Sequence, residues 1–232
     1  MAKTTEGKGT EIFESPDALV EKFNHSGEYL KKYRNLILYA VAGLALAVAG
    51  FIYYKYTLKE QNKQAQIDMF PAVRYFELDS LNRALNGDGK NLGLLQITED
   101  YSGTKAAELA NFYIGNIYLK QGKYEDAIKH LKEFNANDLL VQARAYSLIG
   151  DAYMELNDLD NAIKFYLKAT NYKPTEQFTP RYLLKLGLAY EKNKEFGSAV
   201  KAYSQIIDKY SKAQEVNEAK KYKARAEVLA AN

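Results

Sequence analysis

The sequence predicts an all-α chain: one N-terminal transmembrane helix, then an α-solenoid of helical hairpins closed by a C-terminal capping helix. Three observations predict it. Leu36 to Tyr54 is a run of 19 residues without a charge. Glycine recurs at Gly115, Gly150 and Gly187, and alanine at Ala127, Ala162 and Ala199, with the same spacings of 35 and 37. Only 4 of 232 residues are Pro while 47% are hydrophobic, a composition for packed helices rather than a disordered chain.

The apolar run reads LILYAVAGLALAVAGFIYY. As a helix it spans about 28 Å, close to the hydrocarbon thickness of a bilayer. Helix is required there, because backbone groups in lipid must pair within the segment. Tyr33 and Tyr39 flank one end and Tyr53, Tyr54 and Tyr56 the other, as in an aromatic belt at both interfaces. Gly43 and Gly50 fit a helix–helix contact. Ala47-Val48-Ala49 has the form of a signal-peptide cleavage site. A signal core, however, is about 7–15 residues long and starts near the N-terminus, whereas 35 residues precede this run and apolar residues follow Ala49. A core helix of a soluble domain would carry a polar face, and the run has none. Lys31, Lys32 and Arg34 crowd the N-terminal edge against Lys55 and Lys59 on the other. That bias keeps the N-terminus inside and puts the residues after Tyr54 on the extracytoplasmic side.

Residues 1–35 are expected to form a short cytoplasmic segment with a small helix. The first 34 residues carry six Lys/Arg and six Asp/Glu and are neutral. Residues 1–10 read as disordered. Ser15-Pro16-Asp17 then signals a helix start, with Ser as N-cap, Pro in the first turn and an acid beside the helix dipole. The sequon Asn24-His25-Ser26 falls on the inner side and reads as chance.

Self-similarity governs residues 104–212. The aligned segments are YIGNIYLKQGKYEDAIKHL, SLIGDAYMELNDLDNAIKFY and LKLGLAYEKNKEFGSAVKAY, and Tyr118, Tyr153 and Tyr190 each follow their glycine by three. This period suits one helix, a tight turn and a second helix. Each glycine is expected where the first helix (helix A) meets the second (helix B), with the alanine answering it from helix B. Small residues at both places let the axes approach closely. Leu131, Tyr166 and Tyr203 fill the space around that contact. Gly122, Asn157-Asp158 and Asn193 mark the turns, and Pro174 ends helix B of the middle repeat. A fourth, degenerate hairpin within residues 55–103 is expected to run through helix A from about Arg74 to Asn86. Its turn would be Gly87-Asp88-Gly89, with Leu81 in the glycine place and Gly93 in the alanine place. Residues 213–232 read as a capping helix whose Lys220, Lys221, Lys223 and Arg225 face water.

The pattern resembles the tetratricopeptide repeat, large–large–small–aromatic on helix A and small–aromatic–small–Pro on helix B. The middle repeat matches it best: Tyr146, Ile149, Gly150, Tyr153, Ala162, Tyr166, Ala169 and Pro174. The resemblance implies a groove lined by helix A and built for protein partners. By motif position its lining is Leu109, Phe112, Asn116, Arg144, Ser147, Asp151, Met154, Arg181, Leu184 and Leu188. That set mixes charges with apolar side chains and suits an extended segment or a partner helix. Phe112 and Arg144 lead it, since interface energy concentrates in aromatic and Arg residues. Asn116, Arg181 and Lys185 match the carboxylate-clamp pattern, but Phe112 and Leu148 break it.

The residues offer no catalytic apparatus. Cysteine is absent, which removes disulfides, thiolate zinc sites and cysteine nucleophiles. No metalloprotease, nucleophile-elbow, phosphate-loop or dinucleotide motif occurs. His25 and His130 fall on opposite sides of the membrane run. Asn86-Gly87-Asp88-Gly89-Lys90 lacks the alternating acids of a calcium loop. A net charge of +3 is too slight for nucleic acid. No cofactor, metal or small-molecule substrate is expected.

The membrane run with repeats after it, and the stretch AVRYFELDSLNRALNGDGKNLGLLQITEDYSGTKAAELANFYIGNIYLKQGKYEDAI with its DYSGTKAAELA junction, resemble the bacterial ancillary SecYEG translocon subunit (YfgM-like) family. That resemblance implies an inner-membrane protein with a cytoplasmic N-terminus and a periplasmic tetratricopeptide domain. Its implied partners are Sec translocon subunits and a membrane-anchored periplasmic chaperone, with another envelope complex as the alternative.

Overall fold

The structure is a computed structural model that describes residues 31–231. The helix expected after Ser15 and the sequon at Asn24 lie outside the described residues. The chain divides into two compact units, Met1–Thr57 and Leu58–Asn232. Among the described residues every regular element is an α-helix.

Helix α1 runs unbroken over Arg34–Glu77, 44 residues. An 18-residue window of it has a mean hydropathy of 2.3 and none of that window is buried. It is therefore long and apolar enough to cross a membrane. Beyond Thr57 its character changes. Ala65, Met69 and Ala72 are buried, and Met69 and Ala72 join a core with Ala84, Leu85, Leu94, Ile97, Ala110, Ile114 and Ile117. Pro71 lies inside this part of the helix and so cannot donate to the carbonyl of Ile67.

The second unit continues as α2 (Leu81–Asn86), α3 (Leu94–Asp100), α4 (Lys105–Lys120), α5 (Tyr124–Glu133), α6 (Val141–Glu155), α7 (Leu159–Asn171), α8 (Thr179–Lys192), α9 (Phe196–Lys209) and α10 (Val216–Ala230). The starts follow the local sequence. Thr104 accepts the Ala107 N–H at 3.1 Å to cap α4, and Asp158 accepts the Asn161 N–H at 3.2 Å to cap α7. Pro180 occupies the first turn of α8. Successive helices pack on one another, α4 on α5, α5 on α6, and so on to α10. This packing, dominated by successive helices, is that of a solenoid.

The three glycines sit at the helix A–helix B crossings, but the partner differs in detail from the expectation. A Cβ on Gly115 would lie 2.4 Å from Leu131 Cγ, one on Gly150 2.6 Å from Tyr166 Cε1, and one on Gly187 2.2 Å from Tyr203 Cε1. The glycine therefore receives the bulky side chain one turn beyond the alanine. Ala127, Ala162 and Ala199 are fully buried beside it. Pro174 is exposed beyond the end of α7, in the loop to α8.

The hairpin turns share one geometry. The Lys123, Asp158 and Glu195 N–H groups donate back to the carbonyls of Tyr118, Tyr153 and Tyr190 at 2.9, 2.9 and 2.8 Å. One residue earlier, Gly122, Asn157 and Lys194 donate to Leu119, Met154 and Glu191. These paired bonds form a Schellman motif, which needs a left-handed residue. Gly122 (φ 73°), Asn157 (φ 57°) and Lys194 (φ 61°) supply it. In the third repeat the special residue is thus Lys194, not Asn193, whose φ is −81°.

The same motif relocates the degenerate hairpin. Asp79 (φ 55°) donates to Phe76 and Ser80 donates to Tyr75, so the first turn is Leu78-Asp79-Ser80 and not Gly87-Asp88-Gly89. Tyr75 then stands where Tyr118 stands, Ala72 where Gly115 stands, and Ala84 where Ala127 stands. Ala72 and Ala84 are both fully buried. The expected register, with Leu81 and Gly93, is nine residues too late. Helix B of this hairpin is cut short at Asn86 by the loop that holds Gly87 (φ 83°). Gly93 folds back so closely that a Cβ would lie 2.2 Å from the Leu85 carbonyl oxygen.

Two stability outcomes follow from these contacts, each read as a thermal melt of the full chain in detergent. Gly150→Leu drives a side chain into the Tyr166 ring and costs about 1–3 kcal/mol or more, while Gly197→Ala, with nothing within 4 Å of its Cβ position, is neutral or slightly stabilising. Lys194→Gly relieves a left-handed Lys and gains about 0.5–1 kcal/mol after the entropic cost of glycine, whereas Gly122→Ala loses a similar amount.

Candidate functional site

The residues expected to line the groove lie on helix A of each repeat, and the structure divides them into two groups. Leu109, Phe112, Asn116 and Arg144 come together around one pocket of about 420 Å³. Its other walls are Phe76 and Glu77 from the end of α1, Tyr113 from α4, Leu140 and Val141 at the start of α6, and Phe178 and Tyr182 at the start of α8. Phe76 meets Tyr113 edge-on with centroids 5.1 Å apart, and Phe112 packs on Phe134 at 5.3 Å. Phe112 is only 7% exposed and belongs to the core with Ile128, Leu131, Phe134 and Ile149. It is therefore a structural residue whose edge forms pocket floor, not a free groove side chain. Asn116 is buried and its amide donates to the Phe112 carbonyl at 2.9 Å. Burial pushes the Tyr113 and Tyr182 phenols up, and the nearby Arg144 charge opposes that shift at both.

The remaining predicted residues lie outside that pocket, from the α6–α8 seam to the α9–α10 loop. Ser147 is buried, and Lys185 Nζ approaches its Oγ at 3.4 Å. Lys185 grips Asp151 through both carboxylate oxygens at 2.8 and 2.6 Å, and the Tyr166 hydroxyl donates to the same carboxylate at 2.7 Å. Burial, then Asp151, pushes the Tyr166 phenol far above its ordinary value. With Lys185 so occupied, the carboxylate-clamp pattern lacks a free cation there. Leu184 is buried and Met154 packs against the same core, while the Met154 carbonyl accepts from Lys192 at 3.3 Å. Leu188 is half-buried. Arg181 pairs with Glu215 in the loop before α10 at 3.6 Å.

A second polar knot repeats the Asp151 device one repeat on. Tyr203 donates to Glu191 at 2.6 Å, and Arg225 of α10 holds Glu191 with Nε and a terminal nitrogen at 2.9 and 3.0 Å. Lys185 follows Asp151 by 34 residues, as Arg225 follows Glu191. In both, a helix B tyrosine and a cation from the next helix A position saturate one acid. Arg225 is exposed, as expected, and it also lies over the Tyr222 ring at 4.6 Å and ties the cap to α8.

His130 is half-buried with Nδ1 2.7 Å from Asn111 Oδ1, and burial lowers its pKa. Among the described residues no three His, Cys, Asp or Glu side chains group to hold a metal.

Sequence reasoning missed Phe76, Tyr113, Leu140, Val141, Phe178 and Tyr182 as pocket walls. Phe178 and Tyr182, four apart at a helix start, are a legible signal. Phe76 becomes legible only once the Tyr75 register is known.

A solenoid of helical hairpins with an apolar pocket on its helix A side is a protein-binding architecture. Residues 114–177 and 181–213 match models of the tetratricopeptide repeat, so this stretch of the chain is a tetratricopeptide-repeat array. The chain is 29% identical over 121 residues to "Uncharacterized protein ycf37" of Guillardia theta. That match covers 50% of this chain and 66% of the relative, just under two thirds of its length. In fold the chain is similar to the C-terminal part of a TPR repeat-containing protein from Cytophaga hutchinsonii, with a TM-score of 0.58, 22% identity, and coverage of 76% of this chain and 66% of that one. It is similar also to nearly identical TPR-like repeats from Podosopora anserina, with a TM-score of 0.57, 12% identity and coverage of 73% and 88%. MamA follows with a TM-score of 0.50, 20% identity and coverage of 71% and 87%. At these identities the likeness is one of fold.

The Asp151–Lys185 pair is partly exposed, so its contribution is modest. A double-mutant cycle with Asp151→Asn and Lys185→Met should give a coupling of about 0.5–1 kcal/mol in chemical denaturation.

Proposed function

We propose that this chain is a single-pass membrane scaffold whose tetratricopeptide array gathers protein partners beside a bilayer. The observation that carries the reading is α1. One continuous helix holds both the charge-free, wholly exposed apolar run and the buried residues Ala65, Met69 and Ala72 of the first hairpin. The charge bias at Lys31, Lys32 and Arg34 supports a cytoplasmic N-terminus and an extracytoplasmic array. In a bacterial envelope that side is the periplasm. The resemblance to the ancillary translocon subunit family supports a post at the Sec translocon exit, with translocon subunits and a membrane-anchored periplasmic chaperone as partners. Its work is binding rather than catalysis: the helix A surface offers aromatic walls, one pocket and paired charges, the features of a recognition surface.

The test is topological. Protease added to spheroplasts expressing the full chain should digest the array and spare the N-terminal segment, as read by antibodies to each end. An array that survives in intact spheroplasts and is cut only after lysis reverses the orientation and removes the translocon-exit post.

A further inference from the structure

Several cations of the array and its cap are held by carboxylates, and Arg144 is not among them. Lys185 is held by Asp151, Arg181 by Glu215, Arg225 by Glu191 and Lys120 by Asp79. Among the described residues no carboxylate pairs with Arg144. Its side chain is exposed, and its guanidinium lies over the Phe112 ring, 5.9 Å from the centroid, at the edge of the 420 Å³ pocket. The pocket beneath it has the size of a small ligand site, about 300–1,000 Å³, and its walls are mainly rings and aliphatic side chains. At its lip Leu140 is 46% exposed and its neighbour Leu139 48%, apolar area left in water where a partner would cover it. Glu77 also lines the pocket and pairs with Arg74 at 3.8 Å.

We infer that this pocket receives one large apolar side chain, Phe or Leu, of a partner peptide in which the adjacent residue is Asp or Glu, with that carboxylate on Arg144. The inference rests on the scaffold reading and narrows it to a sequence feature of the partner. Aromatic walls accept a ring edge-to-face, as Phe76 and Tyr113 already do. A carboxylate that meets a guanidinium against apolar walls is attracted more strongly than in open water, because those walls lower the local dielectric. A neutral apolar peptide fills the pocket but leaves Arg144 unpaired, and a basic one meets Arg144 as a like charge.

The test uses the full chain in detergent micelles and fluorescein-labelled octapeptides read by anisotropy. The probes are Gly-Ser-Gly-Phe-Glu-Gly-Ser-Gly, the same peptide with Lys for Glu, and the same with Ser for Phe. Wild type should bind the Phe-Glu peptide about tenfold or more better than either control. Arg144→Glu, an exposed change that spares the core, should reverse the preference in favour of Phe-Lys. A purely structural role for Arg144 does not predict that swap. Equal binding of all three peptides, no binding of any, or an Arg144→Glu variant with unchanged preference overturns the inference. So does saturable binding of oleate alone, which assigns the pocket to a free fatty acid. A photo-crosslinker in cells separates this inference from the scaffold reading. One is placed at Leu140 on the lip and one at Leu167, an exposed residue outside the pocket. Partner crosslinks at Leu167 but not at Leu140 overturn the pocket and keep the scaffold; none at either site removes both. A crosslink at Leu140 to a second copy of the chain overturns the peptide occupant. One to a partner segment carrying Phe or Leu beside an acid supports it.

Discussion

The array depends on one contact: a residue without bulk on helix A that receives a large side chain from helix B. At Gly115, Gly150 and Gly187 the missing Cβ is the space that Leu131, Tyr166 and Tyr203 fill. Because the two helices cross closely there, the neighbouring alanines are drawn to full burial and the chain between them must turn tightly. The first hairpin shows what happens when the contact weakens. Ala72 stands in the glycine place, and helix B ends at Asn86, before the bulky position is reached. A loop and α3 then supply the missing apolar cover through Leu94 and Ile97.

From this crossing the electrostatics follow. The tyrosine that fills the glycine's space carries a hydroxyl, and a buried hydroxyl needs a partner. Asp151 and Glu191 provide it from the tyrosine's own helix A, and the next helix A position or the cap provides a cation to neutralise each acid. One packing requirement thus generates a polar link from repeat to repeat. Where the bulky residue is Leu131 no hydroxyl arises, Asn116 stands where Asp151 stands, and Leu148 stands where Lys185 stands, so that link is absent.

Much of this was legible as spacing. A period of 35 and 37 in Gly, Ala and Tyr located three hairpins, because each marks a steric demand repeated in every unit. The first hairpin was misplaced by nine residues for an equally physical reason. Gly87-Asp88-Gly89 is a stronger turn signal than Leu78-Asp79-Ser80, yet the actual turn uses Asp79 in the left-handed region that glycine normally occupies. Lys194 misled in the same way beside Asn193. Residue type reports the preference for a left-handed turn, and tertiary packing can impose one where the preference is weak. Among the candidate site residues, helix position identified which side of the array Leu109, Phe112, Asn116 and Arg144 share. It could not tell that Phe112 is mostly core, or that Asp151 and Arg181 are already paired.

The sequence by itself determined the local and periodic features: a charge-free run long enough for a bilayer, the hairpin period, the small residues at the crossings and the aromatic filling. Each follows from chain neighbours or from a repeat reading itself. Only the tertiary structure decided which charges are consumed and which remain. Asp151 and Lys185, or Glu191 and Arg225, lie 34 residues apart and meet through packing of successive units. The pocket likewise takes its walls from α1, α4, α6 and α8. No single segment carries that information, because distance in the chain does not fix distance in space.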